Sequence, residues 1–167
     1  MKRFAALAQA IKEGATASQL KYKELNNETT KEKLTVSKTS IEQKKIEVNE
    51  QNKLVAMIEK ELAYHQMKLE DYLSAQTRLN VKKYDAVNTE EFLKVMEELD
   101  QVNKNIDYHT YKIEEFQAEY NEEKETLDEL KKDLVSDQNI HRDRLNRLIR
   151  DEEELEKQRE MVFATTN

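Results

Sequence analysis

One six-residue stretch, Val87-Asn88-Thr89-Glu90-Glu91-Phe92, lies near the midpoint of the 167-residue chain, between two long charged segments with regular apolar spacing. Asn88 is a favourable helix N-cap, because its side-chain oxygen can accept a hydrogen bond from a backbone N–H of the first turn. Glu91 is placed to reach back to the N–H of the cap residue, and Val87 and Phe92 are spaced to meet as a hydrophobic staple. These signals predict a second long helix and a reversal of chain direction; the alternative is one uninterrupted helix.

The composition limits the fold class. The chain has one Gly, no Pro, no Cys and no Trp, and 38% of its residues are charged. With so few turn-forming residues, a compact fold of many elements is disfavoured, and mixed charge on an apolar repeat indicates long helices. The lack of Cys excludes disulfides and thiolate chemistry, and it suits a reducing compartment.

A seven-residue repeat runs through the first segment, as in one row of a coiled-coil seam. Every seventh residue from 20 to 69 is apolar with one exception: Leu20, Asn27, Leu34, Ile41, Val48, Val55, Leu62, Leu69. A second row, offset by three, is strong only near the midpoint, at Ile58, His65, Tyr72 and Leu79, and its earlier members are Ser37, Lys44 and Gln51.

The second segment repeats this pattern. Ten of the eleven residues at seven-residue spacing from Phe92 to Val162 are apolar or aromatic, His141 being the exception. The companion row is again apolar near the midpoint, at Val95, Val102 and Phe116, and it becomes more polar farther on, with Asp137 and Arg144. The pattern predicts an all-α antiparallel two-helix coiled-coil hairpin, a single elongated unit over residues 1–167. Helix one is expected at about 4–82, the turn at about 83–88 and helix two at about 89–163.

Folding the chain at the turn places residues whose numbers sum to about 171–175 side by side. The half near the turn then has a two-row apolar core. The half near the termini has one apolar row per helix, so we expect it to be looser or to be completed by another protein. Each helix would extend about 110 Å at ~1.5 Å per residue, giving a long rod.

Charge divides between the two halves. Residues 1–87 hold 16 Lys and Arg against 12 Asp and Glu, and residues 88–167 hold 12 against 23, in agreement with the net charge of −7. This asymmetry favours an intrachain hairpin over a parallel homodimer, and hence a monomer in isolation. The negative total disfavours nucleic acid as a partner, because phosphate binding requires clustered Lys and Arg.

No apolar run approaches the ~20 residues of a membrane span, so direct membrane insertion is not expected. The first residues, Met1 to Ala8, briefly resemble a signal peptide. The apolar run stops at Gln9, and a helical pattern continues through Ile11. We interpret this segment as the mature start of a cytosolic protein.

The sequence contains no catalytic motif: it has no Gly-rich phosphate loop, no Cys for a zinc site and no Gly-x-Ser-x-Gly elbow. We therefore predict a non-enzymatic protein without a cofactor or metal. His65 and His109 share the second row and should lie close together across the hairpin. Their simplest interpretation, and that of His141, is as polar residues that fix register. A two-histidine metal site or a pH-sensitive layer stays open as an alternative.

Two surfaces are candidates for protein contacts. Aromatic residues cluster near the turn, and Tyr64, Tyr84, Tyr108 and Tyr111 fall outside the seam rows. They are either exposed contact points for a partner or amphipathic residues that cover the edges of the seam. The candidate contact residues of the tip are Tyr72, Tyr84, Phe92, Met96 and Leu99. Those of the open end, which would close the hairpin or insert into a partner, are Phe4, Leu7, Ile11, Met161 and Phe163.

The turn sequence Val87 to Leu93, the apolar Met96 and Leu99 after it, and the charged run Arg150 to Glu154 resemble the FliJ/YscO family of type III secretion and flagellar export. Family members likewise join two long charged helices by a short polar turn. This chain departs from many of them in being acidic and in having a less Arg-rich first helix.

The resemblance implies a cytoplasmic stalk, peripheral to the inner membrane, that links a hexameric export ATPase to the export gate. The coiled coil near the termini would enter the ATPase pore, and the turn would face the gate. Some members also handle secretion chaperones. The alternative is a structural coiled-coil protein of a phage or filament assembly, which would self-associate through its strong rows.

Overall fold

The protein folds as an all-α hairpin of two long helices, as the heptad pattern predicts. The computed structural model describes the backbone of residues 2–166 and the side chains of residues 17–162. Helix α1 spans Lys2–Asp85 and helix α2 spans Thr89–Thr166, with no strand among the described residues. Helix α1 continues three residues beyond the predicted end at 82, because Lys82 and Lys83 lie within its last turn, where their charges favour the helix C-terminus.

The turn between the helices occupies only residues 86–88. Asn88 caps α2 as predicted: its Oδ1 accepts a hydrogen bond from the N–H of Glu91 at 2.9 Å. The Glu91 carboxylate also reaches back, but it accepts from the N–H of Val87 at 3.2 Å rather than from that of Asn88. The predicted staple is wrong, because the Val87 side chain is 88% exposed and leaves Phe92 without its partner.

The buried residues follow the predicted rows. The first row of α1 contributes Leu34, Ile41 and Val55, and the second contributes Ile58 and Leu79. Helix α2 contributes four leucines of its main row: Leu99, Leu127, Leu148 and Leu155. These are the positions that a seven-residue repeat turns toward the opposite helix.

The register includes part of the predicted sum of about 171–175 and extends beyond it. Residues in contact across the hairpin have numbers that sum to between 173, for Tyr64 with His109, and 183, for Glu24 with Arg159. The physical reason is interdigitation, because each seam residue packs between two opposing residues seven apart. His65, for example, lies beside the rings of both His109 and Phe116.

The residues of the hairpin group into two compact units. Unit 1 comprises Met1–Ile46 and Lys132–Asn167, and unit 2 comprises Glu47–Lys131. In a two-helix hairpin a side chain contacts only residues at its own level, so one core does not extend through the whole chain. Unit 2 contains the turn and the histidine pair, and unit 1 contains the chain termini.

Candidate functional site

The centre of unit 2 holds a buried layer made of two histidines. His65 of α1 and His109 of α2 both occupy second-row positions, and each is 6% exposed. Their Nδ1 atoms lie 2.8 Å apart, within hydrogen-bond distance. The sequence prediction that these residues meet across the hairpin is therefore confirmed.

Aromatic rings enclose the histidine layer. Tyr72 stacks on His109 and Phe116 stacks on His65, each with a centroid distance of 5.5 Å and an interplanar angle of 21°. Tyr64 and Tyr108 approach the imidazoles edge-on. The rings exclude water from the Nδ1 contact, so a charge placed there loses hydration.

Charged groups surround the layer at its margins. Burial lowers the pKa of His109, and the nearby charges of His65 and Lys68 lower it further. The Glu61 Oε2 atom lies 4.0 Å from Nε2 of His65. Lys112 lies near the ring of Tyr108, and a hydrogen bond to Glu115 raises its pKa.

The layer lacks the donor set of an ordinary metal centre. Among the described residues, no group of three or more His, Asp or Glu side chains is placed to hold a metal ion. A metal ion bound by the two histidines would therefore find no third protein ligand among the described residues.

Polar second-row residues are paired across the seam in both units. In unit 2 the Gln51 amide donates to Glu123, to its backbone oxygen at 3.0 Å and to its carboxylate at 2.6 Å. In unit 1 Lys44 forms an ion pair with Asp137. His141 Nδ1 lies 3.0 Å from the Ser37 hydroxyl, which fits its predicted register role.

Asn27 is the exception among the polar seam residues of unit 1. It is buried in the main row, and its Nδ2 has no hydrogen-bond partner. A buried amide without a partner loses its hydration with no compensating bond. Packing along the seam of unit 1 is therefore less stable than its heptad spacing alone implies.

The predicted tip surface is only partly accessible. Tyr84 is 87% exposed, and Phe92 and Met96 are partly exposed. Tyr72 is half-buried on His109, and Leu99 is only 8% exposed. Leu99 is thus a core residue and not a contact residue, because its main-row position turns it toward α1.

The predicted contact residues of the open end are described in part. Met161 is well exposed. The side chains of Phe4, Leu7, Ile11 and Phe163 lie outside the described residues. Tyr64, Tyr84, Tyr108 and Tyr111, predicted outside the seam, are all exposed.

Unit 1 carries exposed apolar residues that the sequence analysis missed. Val36 of α1 and Ile140 of α2 line one groove beside the seam, together with Ser37, Ser40 and Asp137. Both are well exposed, at 70% and 47%. In the sequence, such residues can be recognised as apolar positions that lie outside both seam rows of a strongly charged helix.

A second groove lies along the other flank of the same seam, as the heptad positions of its lining residues require. Lys38 and Lys45 of α1 line it together with Leu145 of α2. Leu145 is exposed, and so is Ile149, one turn farther along α2 on the same flank. The described part of unit 1 therefore has an apolar strip on each side of a partly polar seam.

Comparison with known protein families, curated protein sequences and solved structures found no match. Among the described residues, neither helix contains a stretch apolar enough to cross a membrane.

Proposed function

We propose that this protein is a non-enzymatic coiled-coil stalk or adaptor that holds larger proteins through the helix faces of unit 1. The observation that carries the proposal is the pairing of apolar strips, Val36 with Ile140 and Leu145 with Ile149, on the two flanks of one seam. A helix of a partner that lies in the first groove buries Val36 of α1 and Ile140 of α2, whereas on the second flank it buries Leu145 and Ile149 of α2.

Charged pairs elsewhere in unit 1 favour specific docking. Cross-helix ion pairs that line a separate groove join Lys31 to Glu152, at 2.7 Å, and Glu24 to Arg159. Such exposed pairs contribute little stability, about 0–1 kcal/mol each, so a partner can rearrange them at small cost. They can instead guide a charged partner into register and raise its association rate.

The particular assembly that we propose is a type III secretion or flagellar export apparatus, on the strength of the resemblance to the FliJ/YscO family. In that setting unit 1 lies inside the hexameric export ATPase, and the turn of unit 2 points to the export gate. The protein would then be cytoplasmic and peripheral to the inner membrane. Secretion chaperones are further partners that the resemblance suggests.

The test is binding of the purified full chain to a hexameric export ATPase from the same genome. The double variant Val36→Glu/Ile140→Glu places two carboxylates in one groove of unit 1, and we expect affinity to fall about tenfold or more because burial of a charge is costly. The matched control is Val81→Glu, at an exposed apolar position of α1 in unit 2.

Equal affinity for the wild type and the groove variant would refute docking through this groove. Absence of binding by the wild-type chain would refute the export-stalk proposal. Circular dichroism on each variant verifies that helix content is unchanged.

Self-association is the alternative function, and a different surface favours it. Met57, Tyr64 and Met67 are exposed along one side of α1 in unit 2, where the Tyr64 ring also borders the histidine layer. A structural protein would bury this face against another copy. Light scattering distinguishes the two proposals: the adaptor gives a monomer, whereas a structural protein gives a multimer that Met57→Glu/Met67→Glu dissociates.

A further inference from the structure

We propose that His65 and His109 form a pH-sensitive layer. Unit 2 stays closed while the two imidazoles together hold at most one proton more than their neutral forms, and it opens when a second such proton binds. This role goes beyond the adaptor function and does not depend on it. It rests on the direct contact between two buried imidazoles.

Proton counting at the contact defines the switch. A neutral imidazole carries one N–H, so two neutral rings satisfy the 2.8 Å contact when one is protonated at Nδ1 and the other at Nε2. One added proton preserves the contact, because an imidazolium N–H can donate to the neutral Nδ1 of its neighbour. A second added proton leaves two N–H groups facing each other with no acceptor between them.

Burial makes that doubly protonated state unfavourable. The ring centroids are 5.0 Å apart, and both side chains are more than nine-tenths buried. The stacked rings of Tyr72 and Phe116 offer no polar group to hydrate or neutralise a second charge from their faces. Separating α1 from α2 at this level hydrates both rings and relieves the repulsion.

The surrounding charged groups allow one proton and oppose two. On α1, the Glu61 carboxylate lies 4.0 Å from Nε2 of His65, whereas the positive charge of Lys68 helps to lower the pKa of His109. On α2, Lys112 adds a positive charge near Tyr108, which Glu115 offsets through their 3.3 Å contact.

The direction of the pH effect follows from linkage. Folding lowers the pKa of His109 below the unfolded value of about 6.5. Below pH 6.5 the unfolded chain therefore binds one proton more than the folded layer does. The closed state is therefore most favoured above about pH 6.5, and it loses stability as pH falls toward the folded pKa. If the open state binds one proton that the closed state does not bind, the opening equilibrium constant rises about tenfold between pH 7.5 and 5.5.

Hydrogen exchange on the full chain tests this inference, with amide protection corrected for the intrinsic effect of pH. We expect opening near residues 65 and 109 to increase about tenfold between pH 7.5 and 5.5. The double variant His65→Gln/His109→Gln should lose that dependence, because amides do not titrate in this range. The control His141→Gln removes the half-buried histidine of unit 1, and this variant should keep the pH dependence of opening in unit 2.

A titration of the wild type by nuclear magnetic resonance gives a second reading that needs no variant. The imidazole of His109 should stay neutral well below pH 6.5. The inference is overturned if His65 and His109 both titrate near pH 6.5 while protection in unit 2 is constant. An equal loss of protection in the double glutamine variant would also overturn it, since the opening would then arise from carboxylates or other groups.

Discussion

Substitution of Leu127 by alanine gives the most direct test of the seam. Leu127 is 1% exposed and is the most completely buried large side chain among the described residues. The change removes three buried carbon atoms, worth about 2.5 kcal/mol at ~0.8 kcal/mol per methylene. Leucine-to-alanine changes in compact cores cost about 2–5 kcal/mol in all, because a cavity term is added. Two helices can close over a gap more easily than a layered core, so we expect a loss of about 2.5–3 kcal/mol.

The assay should report on unit 2 alone, because the chain has two compact units and a single global transition is not assured. Native-state hydrogen exchange of amides in residues 47–131 meets this need. A loss of 2.5 kcal/mol corresponds to a roughly sixtyfold rise in the opening equilibrium constant.

The matched control is Leu93→Ala, the same change at an exposed position of α2 within unit 2, where we expect a change below about 0.5 kcal/mol. A loss at Leu127 below 0.5 kcal/mol would refute the packing described for the seam. So would equal losses in the two variants.

Two other substitutions test polar features of the hairpin. Asn27→Leu should stabilise unit 1 by about 1–2 kcal/mol, because it removes the unpartnered amide and fills the seam. Native-state hydrogen exchange of the amides of unit 1 measures the change, with the exposed neighbour change Asn26→Leu as control. A destabilised Asn27→Leu would show that the amide is satisfied. Asn88→Ala should cost about 1 kcal/mol through loss of the bond from the Glu91 N–H. Asn88→Asp keeps an acceptor oxygen and should retain that stability, and equal melting curves for all three chains would contradict the capping role.

Periodicity predicted the parts of the fold that depend on which side of a helix a residue occupies. Every seventh position reports the seam directly, so residues such as Leu34, Leu127 and Leu155 could be placed in the core from the sequence. Asn88 could be recognised as the cap because its interactions are local in sequence. The same reasoning brought His65 and His109 together.

Features that depend on three-dimensional detail escaped the sequence. Glu91 binds the N–H of Val87, one residue before the expected one, and the Val87 side chain points to solvent. Leu99 was assigned to a contact surface although its row position already placed it in the core. The register shifted because an interdigitated seam residue has two opposing neighbours and not one.

The exposed strips of unit 1 were missed for a different reason. Val36, Ile140 and Leu145 fall outside both rows, and single apolar residues on a surface are common. Only their placement along grooves between the helices distinguishes them from chance exposure. That placement requires the register, which periodicity does not supply.

The three-residue turn has a consequence for the order in which the hairpin assembles. Partners across the helices are 27 residues apart in the chain for Gln76 and Asn103, 72 for Gln51 and Glu123, and 135 for Glu24 and Arg159. Closing a loop costs more entropy as the loop lengthens, unless nearer contacts have already formed. Folding should therefore begin at the capped turn and advance by zippering, so that changes near Asn88 alter the folding rate and changes near Leu155 mainly alter the unfolding rate.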